Sequence, residues 1–174
     1  ITATITEGDL ATLRNITSSN NAYTITVTET SVLASDLSLL DGKSSIAVNA
    51  GAVTTISGSA SEIKTAIAAT GVATSTSYNA VVLDISVSAA DLNTIDADTT
   101  GTVTATNAST ITGIASVIKT AIQSSGITTT TSYDAVTTDT TVAASDLSAI
   151  DTDTTGTVTA TAATTITGTA TEVK

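Results

Sequence analysis

Apolar and polar positions alternate along much of the chain. In residues 101–106, Gly-Thr-Val-Thr-Ala-Thr, Val103 and Ala105 face one way and the threonines the other, and Ile111 repeats the pattern in 110–113. Period two predicts half-buried strands. Between these runs the spacing changes. Leu92 with Ile95, and Ile118 with Ile122, sit three or four apart, which predicts helical pieces of one or two turns. Ser59 before Glu62 and Ser88 before Asp91 have the spacing of capping boxes.

The pattern recurs with a fixed interval. Asp36-Leu37 returns as Asp91-Leu92 and again as Asp146-Leu147, and Lys64, Lys119 and Lys174 keep the same step. Tyr23, Tyr78 and Tyr133, the only tyrosines, share it, as do Gly71 with Gly126 and Gly101 with Gly156. Each unit is itself double, two halves of about 27 residues, each one short helix plus two or three short strands. The divisions are a divergent half-repeat at 1–31, repeats at 32–86 and 87–141, and a partial repeat at 142–174. Arg14 and the run Ser18-Ser-Asn-Asn21 have no later counterpart.

A unit this small buries its apolar face only against neighbours. The expectation is therefore one continuous, mainly β solenoid, with one short helical turn per coil and about six coils. A leucine-rich-repeat-like α/β horseshoe has units of similar length, but its Leu-x-x-Leu-x-Leu frame is not visible. Separate β-sandwiches need much longer units.

Composition narrows the chemistry. There is no His, Cys, Met, Trp, Phe or Pro, and Thr fills about a quarter of the 174 residues. No disulfide, thiol nucleophile or zinc cluster is available, and the commonest general base is absent. Five basic residues against 16 acidic ones, a net charge of −11, argue against nucleic acid. No stretch approaches the roughly 18 apolar residues of a membrane span. The β-branched apolar content argues against disorder.

The segments Ala90-Asp-Leu-Asn-Thr-Ile-Asp96, Thr100-Gly-Thr-Val-Thr-Ala-Thr106 and Thr164-Thr-Ile-Thr-Gly-Thr-Ala-Thr171 resemble tandem repeats of very large bacterial surface proteins, notably cyanobacterial ones. The composition resembles S-layer proteins and type-I-secreted adhesins. The resemblance implies an extracellular structural or adhesive role, in an adhesin stalk, S-layer or filament, with further copies of the repeat or neighbouring subunits as partners. The start at Ile1 and the stop at Lys174 inside a motif read as a piece of something longer. Some such surface proteins bind calcium through nonapeptide repeats, which this chain lacks.

The candidate metal ligands are Asp96, Asp98, Asp151 and Asp153, in two Asp-x-Asp-Thr-Thr-Gly segments that resemble the opening of a calcium loop. The same residues also suit a helix end and turn, and both readings stand at this point. Asp41-Gly-Lys43 replaces the second carboxylate in the first full repeat. Asp91 and Asp146 suit a helix N-terminus, and Lys64 and Lys119 suit neighbouring carboxylates. The alternative function is an ice- or glycan-binding face. Thr102, Thr104 and Thr106 would align with Thr157, Thr159 and Thr161, and the tyrosines would either form a sugar-stacking stripe or cover the core edge with hydroxyls in water. Asn15-Ile-Thr17 and Asn107-Ala-Ser109 match the glycosylation pattern. No catalytic constellation is visible, since the paired carboxylates recur with the repeat.

Overall fold

A computed structural model describes residues 2–19 and 21–173. Lys174, the third lysine of the repeat, and Asn20 lie outside them. The chain runs as a stack of strand–helix coils. The first holds β1 (Thr2–Thr4), α1 (Leu10–Leu13) and β2 (Ala22–Thr24). There follow β3 (Ser31–Leu33), α2 (Ala34–Asp41), β4 (Val48–Ala50), β5 (Thr55–Gly58), α3 (Ala60–Ala68), β6 (Val72–Thr74) and β7 (Asn79–Val82). The same order returns as β8 (Ser86–Ser88), α4 (Ala89–Asp98), β9 (Val103–Ala105), β10 (Thr110–Gly113), α5 (Ala115–Gln123), β11 (Ile127–Thr129) and β12 (Asp134–Thr137). Then come β13 (Thr141–Ala143), α6 (Ala144–Asp153), β14 (Val158–Thr159) and β15 (Thr165–Thr167). The boundaries 31/32, 86/87 and 141/142 cut the equivalent strands β3, β8 and β13.

The mainly β solenoid is not what forms. The described residues make an α/β fold of six helices and 15 strands, with every strand pair parallel and a largest sheet of five strands, β11-β9-β7-β5-β3. Helices α2–α6 run eight to ten residues, at least twice the length of any strand. That is more than two turns each, not one. They pack side by side in one row, each against the next. The reason lies in a light apolar stripe. Ala34, Leu37 and Leu40 are buried in α2; Ala60, Ile63 and Ala66 in α3; Ala89, Leu92 and Ile95 in α4; Ala115, Ile118 and Ala121 in α5. Half of these positions are Ala, so the helical period is faint in the sequence. Such short helices are held by their neighbours in the row rather than by propensity.

Helix row and strand columns advance at different rates. The helices start at 34, 60, 89, 115 and 144, steps of 26, 29, 26 and 29. From β3 onward the sequence step between paired strands is shorter, as Val32 to Ile56 to Ala80 to Val103 shows in the largest sheet. An extra strand absorbs the difference every second coil: β8 (from Ser86) follows closely on β7 (to Val82), and β13 (from Thr141) on β12 (to Thr137). β3, β8 and β13 each open a new sheet immediately before a helix. One strand step before β8 the chain is in α3, and one step after β11 it is in α6. The strand column therefore runs into the helix row at both ends, which is why the largest sheet stops at five strands. The repeat interval that carries Asp36 to Asp91 is the smallest shift that restores both rows.

The core is one thread between strands and helices. Val32, Ile56, Ala80 and Val103 face it from the largest sheet, and Val87, Ile111 and Ala135 from its four-stranded neighbour. Each buried Ile or Leu contributes about 2 kcal/mol of apolar burial.

Candidate functional site

The carboxylates singled out in the sequence are drawn to different neighbours. The Tyr78 hydroxyl donates to Asp98 Oδ2 at 2.9 Å, and the Tyr133 hydroxyl to Asp153 Oδ2 at 2.9 Å. Asp96 Oδ2 accepts from Ser124 Oγ at 2.8 Å, one coil on. Asp151 lies exposed in α6. Among the described residues no three acidic side chains converge where they would hold a metal ion. Asp96 and Asp98 thus serve coil contacts on two sides, Ser124 and Tyr78, rather than one shared point.

Tyr78 and Tyr133 do not cover the core edge with their hydroxyls in water. Both are 0% exposed and belong to the core. Burial pushes the ionisation of each phenol well above its usual range, and the hydrogen bond and charge of the adjacent Asp add to the shift. Rings this deep cannot stack on a sugar. Tyr23 is half-buried, with Ser18 Oγ at 2.6 Å and Asn21 Nδ2 at 2.9 Å from its hydroxyl. The backbone around Tyr78 is closed as well. Thr99 Oγ1 donates to its carbonyl, and Gly101 packs so near that a Cβ there would lie 2.1 Å from the same oxygen. Gly126 is constrained by a carboxylate: a Cβ would lie 2.0 Å from Asp96 Oδ1.

The threonine ladder does not form. Thr104 pairs with Val81 and Thr128 in the five-stranded sheet, whereas Thr159 pairs with Val136 in the four-stranded one. The hydroxyls have another use. Ser57, Thr112 and Thr167 donate to the carbonyls of Val32, Val87 and Val142, one coil back, at 3.2, 3.3 and 3.4 Å. Thr54, Ser109 and Thr164 do the same to Thr30, Ile85 and Thr140. Both sets recur at the repeat interval. The Ser/Thr richness is a set of inter-coil ties.

Charged residues follow the same rule. Asp84 Oδ2 accepts from Ala60 N at 2.6 Å, and Asp139 Oδ2 from Ala115 N at 2.7 Å, each capping the helix of the coil before it. Glu29, at the equivalent position, accepts from Leu10 N at 2.9 and 3.0 Å. Lys64 pairs with Asp91, and Lys119 with Asp146 at 2.9 Å, joining one helix to the first turn of the next. Arg14 pairs with Asp36 at 3.5 Å, so the residue without a counterpart performs the counterpart's task from a shifted position. The capping box at Ser59 and Glu62 forms, and Ser59's N–H and hydroxyl hold the Glu62 carboxyl below its usual range. At Ser88 no side-chain cap forms. The caps from Asp84 and Asp139 lay outside sequence reasoning, which looks for a cap next to the helix. Their signal was the repeat interval that Glu29, Asp84 and Asp139 share.

No protein-family model, curated protein or solved structure matches the chain. No described helix is long and apolar enough to cross a membrane.

Proposed function

We propose that the chain is a structural segment of an extracellular bacterial surface protein, a scaffold within an adhesin stalk, an S-layer or a filament. The observation that carries this reading is where the polar chemistry goes. Hydroxyls reach carbonyls, carboxylates reach helix N–H groups, and cations reach carboxylates, each across a coil boundary and each at the same interval. A catalytic or ligand site needs polar groups converging at one place. Here they are spread evenly along the stack, as a scaffold that transmits force from coil to coil requires. The resemblance of the Asp-Leu and Thr-rich segments to surface-protein repeats supports the location.

The test is gold-labelled antibody against the chain on intact source cells, viewed by electron microscopy. Label along fibres or over a continuous coat is expected. Label confined to lysed cells would overturn the surface assignment.

A further inference from the structure

The interior coils show what the last one lacks. Ile56 and Ile111 are fully buried, while Ile166, at the same repeat position, is 51% exposed. Ile63 and Ile118 are fully buried, while Val173 is 50% exposed. Leu37 and Leu92 are buried, while Leu147 is only partly so. Residue type and repeat position are matched, so the difference is the missing neighbour. Leu147, Val158, Ile166 and Val173 line one open groove, together with Asp151 and Glu172. β14 and β15 each have a single strand partner, which leaves one edge free. The opposite end of the stack differs. Leu10 and Leu13 of the short α1 are buried, and no large apolar residue before Leu33 is prominently exposed among the described ones.

We propose that this face is a docking surface for a second copy of the chain, which engages through its own identical face to give a two-fold dimer. The face continues the interface that joins every coil to the next, so its fit is to a coil of this repeat. The other end of a second copy offers no such apolar surface, which leaves the same face as the complement. β15 has three residues with Ile166 at its centre. A two-fold axis there sets β15 antiparallel to its mate, with Ile166 against Ile166 and Thr165 against Thr167. Asp151, Asp153 and Glu172 are brought in from both copies, so salt screens a repulsion and tightens the dimer. The inference rests on the geometry of the last coil and not on the surface role.

Sedimentation velocity on the full chain, from about 10 µM to about 1 mM at low and high salt, tests it. The expected result is a monomer–dimer equilibrium that stops at two and tightens with salt. Ile166→Glu should weaken it about tenfold or more with an unchanged circular dichroism spectrum, because Ile166 is already exposed. Ile85→Glu, at a residue 67% exposed elsewhere on the stack, should leave it unchanged. A monomer throughout, open-ended polymers, or a dimer indifferent to Ile166→Glu would each overturn the proposal. None of these outcomes bears on immunogold labelling.

Discussion

At the residue scale the repeat supplies its own controls. Thr137 is buried with no partner for its hydroxyl, and the equivalent residues are Val27 and Val82. A buried unsatisfied hydroxyl costs about 1 kcal/mol or more, so Thr137→Val should raise the midpoint of urea unfolding. A lowered midpoint would mean the hydroxyl has a partner. Glycines divide in the same way. Gly101→Ala places a methyl against the Tyr78 carbonyl and should cost about 3 kcal/mol. Gly42→Ala meets only Leu39 O at 3.6 Å, with φ −74°, and should be neutral or slightly stabilising. The buried tyrosines set an alkaline limit. Their folded ionisation lies above the unfolded value of about 10, so the unfolded chain releases these protons first. Stability should be fully present below about pH 10 and fall as pH rises beyond it. Absorbance at the phenolate band should rise only with unfolding for these two residues, and ionisation in the folded state would contradict their burial. Because Asp98 and Asp153 already hold those hydroxyls, chelation should leave the melting temperature unmoved.

At the element scale each helix depends on the coil after it. Asp139→Ala removes the cap on Ala115 N and should cost about 1 kcal/mol, although the two residues lie 24 apart in sequence. Ser59→Ala should cost about as much, and Ser88→Ala less, because only Ser59 forms its box. The ion pairs at Lys64 and Lys119 are partly exposed and contribute little each, under about 1 kcal/mol. Much of this was hidden in the sequence for a definite reason. The interval of Asp36, Asp91 and Asp146 revealed the repeat, and Ser59 with Glu62 revealed a cap. Helix length was not legible, because an Ala-rich stripe in a Thr- and Val-rich chain leaves strand preference as the louder signal. The burial of Tyr78 and Tyr133 was not legible either, because their Asp partners lie far along the chain, at the end of the next helix.

At the scale of the whole molecule the unit is two coils. Strand columns advance by less per coil than the helices, whose steps alternate between 26 and 29, and only the full two-coil interval restores both. Deleting 87–141 joins Ser86 to Val142, two neighbours within equivalent strands, and preserves every register. Deleting 60–88 removes a shorter segment but leaves β10 to enter α5 without the strand that should open a new sheet. Equilibrium urea unfolding of these two deletions measures the account most directly. The first should unfold in one cooperative transition, with a slope reduced by about a third in keeping with its shorter chain. The second should lose cooperativity or fail to fold. Equal cooperativity in both, or loss of folding in the first, would contradict a two-coil unit held together by contacts between coils.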